Sequence, residues 1–496
     1  MEEDNNPIGH SRHRLVKYFI FLVLMLMMLL PAMQQRFHLF SEKPLRGAFV
    51  ALERPSFSNW NWNDWLSGSF QDVFNTRLEH NIGFRNSLIR LNNQLHYSFF
   101  RQANAEGVIV GKHAELFEED YIRAYLGEFF IGTDIWDRKA QQLKSVQDTL
   151  QKLGKTFVVV FEPGKGSFHS DRFPAKYDHF EKKVSNYDYL LQCLTQNKVN
   201  VLDLNAYFVQ IKPKSDFPLF PRIGTHWSYY GAAIAADTTL RFLQTKHGDQ
   251  IPDLYTKSLI TDSIRHPDDD IWLAMNLLSD PPEQGLAYPR LGFNKAHVDG
   301  LYNLLTIGDS FFFNWLSDSV IYHAFNRAEF WYYNKHRWNK SGAQLGQVSE
   351  SDFESKLNES DIIMIMITER FHQNFAWNFD EQLYDHFFPG PRDPFERFAN
   401  RLRINNDDFH RLLADANQKG ISVEQRITLE AEYLMYLDYQ KNPDQYTGRE
   451  DRIRLIMMSI RSTPDWYAKV VEKAEINNIP VEEMLRRDAE WMVDHE

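Results

Sequence analysis

Two runs of this chain, Thr156–Phe161 (TFVVVF) and Asp361–Ile367 (DIIMIMI), are apolar almost throughout instead of at every second position. A strand with one wet face alternates polar and apolar side chains, so an unbroken run belongs to a strand covered on both faces. Helical spacing surrounds these runs. Leu143, Val146, Leu150 and Leu153 recur three or four residues apart, stop at Gly154, a C-cap residue, and lead into the first run. The rhythm continues with helical Tyr187–Leu194 before Val199–Leu202, helical Tyr229–Leu243, a strand over Tyr302–Ile307, a helix from Phe311, and a strand over Phe330–Tyr333. Short buried strands alternating with helices predict an α/β fold, a parallel sheet sandwiched by helices.

The 496 residues allow about three units at ~150 residues each. Leu15–Met33 (LVKYFIFLVLMLMMLLPAM) comes close to the ~20 apolar residues that cross a bilayer as a helix. Arg12, Arg14 and Lys17 precede it, which predicts a cytoplasmic N-terminus and an exported remainder. Pro31-Ala32-Met33-Gln34-Gln35 has no small-x-small cleavage pattern, so an uncleaved anchor is expected rather than a signal peptide. Helical signals follow around Trp65–Leu78 and Phe84–Phe99, and Gly107–Phe117 reads as a short strand and turn. Pro389-Gly390-Pro391-Arg392-Asp393-Pro394 reads as a linker, with only helical signals beyond it, including starts at Thr463-Pro464 and Pro480. The expected domains are 1–36, cytoplasmic stub and transmembrane anchor; 37–130, a helical and strand region packing on the catalytic domain; 131–390, the α/β domain; and 391–496, a helical module.

Composition narrows the function. Lys and Arg number 55 against 67 Asp and Glu, a net charge of -12, which argues against a chain built to grip nucleic acid or an anionic surface. Cys193 is the only cysteine, which rules out intramolecular disulfides and cysteine-based zinc sites. No metal site is expected. There is no phosphate-binding P-loop and no G-x-G-x-x-G after a strand.

Open α/β sheets bind ligands at the carboxyl ends of their strands, and three such ends carry reactive groups. At Gly308-Asp309-Ser310-Phe311 an apolar strand runs into a helix. A serine there projects its hydroxyl past the sheet, and its own N–H can face an oxyanion. The bland alternative is an Asp/Ser helix cap. At Gly224-Thr225-His226-Trp227-Ser228, one histidine of 18 stands at the mouth of a helix, the best placed to take a serine proton. The third end is Ile367-Thr368-Glu369-Arg370, a carboxylate beside a guanidinium, with a self-satisfied ion pair as the bland alternative.

Gly308-Asp309-Ser310-Phe311 downstream of Thr225-His226-Trp227, preceded by Pro163-Gly164-Lys165 and by Gly111-Lys112 and Leu116-Phe117, resembles the SGNH-hydrolase-like domain of the alginate O-acetyltransferases. The resemblance covers about residues 55–390, and the order of the two motifs, histidine before serine, is its most specific feature. It implies an SGNH-like (flavodoxin-like) sheet and transfer of acetyl groups to hydroxyls of an exported polysaccharide. The partner it implies is a multi-spanning membrane-bound O-acyltransferase. No cofactor is implied, since an acyl donor or partner protein delivers the acetyl group. The setting would be the bacterial inner membrane with the catalytic domain periplasmic. Ser310 would carry the acyl group and His226 would serve as base and acid. Gly308 and the Ser310 N–H would hold the oxyanion, with Asp309, Asn334, Lys165 and Trp227 as further oxyanion or substrate-binding candidates.

One departure stands out. The family has Asp two residues before the histidine, and this chain has Gly224. Another carboxylate orients His226, with Glu369 the candidate, or the site is a Ser-His dyad, or catalysis has been lost. An esterase or deacetylase of surface glycans uses the same two residues. A non-catalytic polysaccharide-binding or scaffold subunit accounts for the missing acid.

Overall fold

The computed structural model describes residues 7–47, 62–247, 250–282, 284–294, 302–390 and 393–495, with side chains described from Arg14 onward. The chain divides into two compact units. One comprises Met1–Leu116, Arg222–Gly224 and Ile264–Glu283, and the other comprises Phe117–Pro221, Thr225–Ser263 and Gln284–Glu496.

The second unit is built on a seven-stranded sheet. Its strands are β1 (Thr156–Glu162), β2 (Val201–Asp203), β3 (Leu304–Gly308), β4 (Ala328–Tyr332), β5 (His336–Asn339), β6 (Gln344–Gln347) and β7 (Ile362–Thr368). They lie in the order β6-β5-β4-β3-β7-β1-β2. The five from β4 to β2 pair in parallel. β7 runs down the middle with every residue buried. Successive side chains point to opposite faces and fill two separate cores. Phe157, Val159, Phe161, Ile363, Ile365 and Ile367 meet Leu143, Val146, Leu150, Leu190 and Leu194 on one face. Val158, Val160, Met364 and Met366 meet Ala232, Ala236, Leu240 and Leu243 on the other. Fully burying a side chain of this size stabilises by roughly 1.5–3 kcal/mol. The helix expected to end at Gly154 does so: it spans Thr133–Lys152, and Gly154 takes φ +74. Helix Asn186–Gln196 starts with a capping box between Ser185 and Asp188.

The mixed α/β architecture with a parallel-rich sheet is the expected one, but two features were not anticipated. β5 pairs antiparallel with β4, and β6 antiparallel with β5, at one edge of the sheet. The strand expected to run through Tyr333 ends at Tyr332, because Tyr333 and Asn334 adopt φ +52 and +50 and turn the chain back into β5. Asp253–Ile260 and Tyr288–Asn294 form a separate antiparallel ribbon. Beyond the sheet, residues 393–495 are helical apart from short connections, with helices starting at Pro464 and Val481. Phe395, Leu402, Phe409, Leu412, Ile427 and Met435 of the first three helices share a core with the sheet. Ile453, Met457, Val470 and Leu485 of the last three form their own. Pro391 and Arg392 of the expected linker lie outside the described residues.

The first unit opens with helix Pro7–Phe37, whose segment Arg14–Phe37 is long and apolar enough to cross a membrane. A helix of that kind serves as an anchor or as a signal sequence. Tyr97, Leu116, Ile223, Ile271, Trp272 and Met275 make this unit's small core. Helices Ser69–Asn81 and Arg85–Leu95 bury none of their residues.

Candidate active site

The register of the sheet sets the site. Ile362 pairs with both Leu304 and Thr156, and Thr368 pairs with Glu162, so β1, β3 and β7 end along one rim. Gly308 closes β3 where a Cβ would sit 3.0 Å from Met366 O and 3.3 Å from Met366 Cβ, so a side chain here would push β3 and β7 slightly apart. Asp309 follows, fully buried. Its Oδ1 accepts the Phe311 N–H (3.1 Å), and its Oδ2 accepts the Thr368 N–H (3.1 Å) and hydroxyl (2.8 Å). The turn is thereby tied to its own exit and to the neighbouring strand. Ser310 stands at its tip, and among the described residues no acceptor takes its N–H. The following helix, Phe312–Ser317, is short.

His226 sits in an irregular loop held at both sides. Thr225 Oγ1 donates to Glu118 Oε2 (2.7 Å), and the same oxygen forms an ion pair with Arg370. Trp227 is fully buried, donates from Nε1 to Asn314 Oδ1 (3.2 Å), and stacks on Trp315 with ring centroids 5.6 Å apart. Ser228 donates its hydroxyl to Pro218 O (2.6 Å) and accepts the Gly231 N–H (3.0 Å), which starts helix Tyr229–His247. Between these anchors the imidazole is packed against Phe311 at 4.9 Å, and its Nε2 lies 2.7 Å from Ser310 Oγ. Eighty-four positions apart in sequence, the two groups are within the reach that proton transfer needs.

The other expected site residues are placed differently. Glu369 does not bond to His226. Its Oε1 accepts the Ser167 N–H (2.9 Å) and its Oε2 the Ser167 hydroxyl, in a niche where a Cβ on Gly164 or Gly166 would collide with the carboxylate. The strand end points this side chain to the β1 side, toward the Pro163-Gly164-Lys165 turn. Burial raises its pKa to about 7 against the lowering effect of the Ser167 bonds. Asn334 has its amide nitrogen engaged elsewhere: its left-handed turn directs Nδ2 to Trp377 O (3.0 Å) and Gln382 Oε1 (3.2 Å). Trp227 and Asp309 are core groups that support the motif and offer no surface to a substrate. Lys165 is also fully buried, donating to Pro221 O (2.8 Å) with Phe117 5.6 Å away, so it braces the histidine loop. Gly308 contributes close strand packing, and its carbonyl accepts the Tyr333 N–H (2.9 Å).

Several residues around the pair carried no sequence signal. Arg370 lies over Tyr121 and Phe371, 5.1 and 4.5 Å from the ring centroids. Burial works against its charge, but Glu118, with Tyr121, Tyr333 and Asp309, outweighs that and keeps it a cation. Tyr332 and Tyr333 stack at 4.0 Å, and burial pushes both phenol pKa values up. Only the ladder between β3 and β4 brings these tyrosines beside the serine turn. Among the described residues no cluster of His, Cys, Asp and Glu is suited to a metal ion.

Residues 108–269 match the family model described as SGNH hydrolase-like domain, acetyltransferase AlgX. No curated protein matches the chain. Similar solved structures include the O-acetyltransferase domain of Pseudomonas putida AlgJ, at 17% identity and TM-score 0.35, covering 56% of this chain and 99% of that one. Pseudomonas aeruginosa AlgX is 16% identical with TM-score 0.38, over 58% of this chain and 71% of that one. Bacillus cereus PatB1 is 11% identical with TM-score 0.31, over 50% and 93%. At identities and TM-scores this low, the likeness rests on the family model alone. Over residues 108–269, the chain is therefore similar to the SGNH hydrolase-like domain of the acetyltransferase AlgX.

Proposed function

We propose that this protein is a membrane-anchored, extracytoplasmic O-acetyltransferase that acts on hydroxyls of an exported polysaccharide through an acyl-serine. The observation that supports this most is the 2.7 Å approach of His226 Nε2 to Ser310 Oγ. The imidazole takes the serine proton as Oγ attacks the donor carbonyl, and the Ser310 N–H faces the developing oxyanion. The protonated imidazole then hands its proton to the departing donor. In the second half, the same nitrogen takes the proton of a sugar hydroxyl as it attacks the acyl carbonyl, then returns that proton to Oγ as the acyl–Oγ bond breaks and Ser310 is released. The Tyr332–Tyr333 pair beside the turn suits a sugar face. The acetyl donor on the far side of the membrane would be reached through a multi-spanning membrane-bound O-acyltransferase, with helix Arg14–Phe37 holding this chain in the same bilayer.

The test is acylation of the full-length protein in detergent by an activated acetyl ester, followed by mass spectrometry of the Ser310 peptide and transfer to an oligosaccharide. A labelled Ser310 with acetylated sugar is the expected result. Labelled Ser310 that only releases acetate makes the protein an esterase, and an unlabelled Ser310 makes it a binding subunit. A reporter fused after Glu496 tests topology, and activity in the cytoplasm would overturn the exported reading.

A further inference from the structure

Glu162 ends β1 beside Thr368 and is 1% exposed. Among the described residues neither of its carboxyl oxygens receives a hydrogen bond from a donor of the protein. The donors at this rim go elsewhere: the Thr368 N–H and hydroxyl and the Phe311 N–H all reach Asp309. Asp309, bonded to the Thr368 that pairs with Glu162, is also the acidic group that acts on it. A hydrogen bond between two carboxyl groups needs a proton, and two ionised carboxylates in dry contact repel strongly. With these three donors placed on Asp309 and none on Glu162, a proton held between the two carboxyl groups belongs to Glu162.

We propose that Glu162 is a positioning residue: as an un-ionised acid it donates to Asp309 and clamps the Gly308–Ser310 turn, which holds Ser310 at bonding distance from His226. The inference rests on Ser310 being the nucleophile. A bond from a neutral acid to a carboxylate is charge-assisted and short, and suits a turn that must not drift. Burial first, and the Asp309 carboxylate second, keep Glu162 protonated far above the ordinary carboxylate range. The surrounding charges do not compete for it. Arg370, Tyr121, Tyr332 and Tyr333 act on Asp309. Lys165, on the turn after β1, donates to Pro221 O, and Glu369 accepts from Ser167. Ionisation at high pH replaces the clamp with two like charges and loosens the turn.

The experiment compares full-length wild type, Glu162→Gln and Glu162→Leu in detergent. It measures the rate of Ser310 labelling by a fluorophosphonate across pH and the infrared carboxylic-acid C=O band. Glutamine keeps a neutral donor to Asp309 at every pH. Its labelling rate at neutral pH should stay within about 2-fold of wild type and lose the alkaline fall that wild type shows, whereas leucine should label about 10-fold more slowly throughout. Read about two pH units above the Glu369 pKa of about 7, the wild-type acid band should vanish in Glu162→Gln. A glutamine variant with the wild-type alkaline fall, or a wild type without that band, overturns the proposal. If wild-type Ser310 does not label at any pH, the nucleophile reading fails, and the infrared band alone then decides the protonation of Glu162.

Discussion

The serine half and the histidine half of the candidate site are held by different means. Ser310 is placed by the sheet: β3 lies between β4 and β7, Gly308 lets it close on β7, and Asp309 is bonded to Thr368 across the ladder. His226 belongs to no element, and side chains hold its loop: Trp227 in the core, Ser228 on Pro218, Thr225 on Glu118. A ladder spreads its positioning over many backbone bonds. A loop concentrates it in a few contacts, so single substitutions should damage the two halves unequally.

The largest effect falls on the reacting atom. Ser310→Ala should reduce acyl transfer by ~10³-fold or more with an unchanged melting temperature, and wild-type turnover would place the nucleophile elsewhere. Next, Trp227→Ala should cost roughly 3–5 kcal/mol in denaturant unfolding, because it empties a fully buried site stacked on Trp315. A loss below about 1 kcal/mol would mean that the loop is not anchored in the core.

Glu369 sharpens the comparison through pH. Its folded pKa of about 7 lies above the unfolded carboxylate value, so the folded state binds the proton more tightly. That contribution to stability is complete below the unfolded pKa, ~4.3, and is lost as pH rises through about 7, an effect of order 3 kcal/mol. The melting temperature should therefore fall less between pH 5 and about 8 in Glu369→Gln than in wild type, and identical falls would show that another group governs the slope. Because Glu369 holds Ser167 and not the imidazole, the substitution should leave the acylation rate at Ser310 within a few-fold of wild type. The smallest effect is expected from Thr225→Val, which removes one hydrogen bond to Glu118 and should cost about 1 kcal/mol together with a severalfold loss of rate.

Much of the fold was legible because its signals are local. The unbroken runs at β1 and β7, the helical spacing that stops at Gly154, and the Thr463-Pro464 start depend on neighbours a few residues away. The antiparallel extension was not legible. His336–Asn339 and Gln344–Gln347 are short and polar, and a tyrosine at φ +52 gives no turn signal of the kind glycine does.

By itself the sequence determined the parallel-rich sheet, the apolar N-terminal helix, and the pairing of a Gly-Asp-Ser strand end with an upstream Thr-His-Trp loop. The first two follow from periodicity, and the third from reactive residue types at strand ends together with the family resemblance. Tertiary structure alone decided what each polar side chain does at the rim. Glu162 ends one central strand and Glu369 follows another, and they are indistinguishable as letters, yet Glu369 accepts from Ser167 and Glu162 receives no donor among the described residues. That choice depends on which donors neighbouring strands bring within about 3 Å, and strand order and register set it.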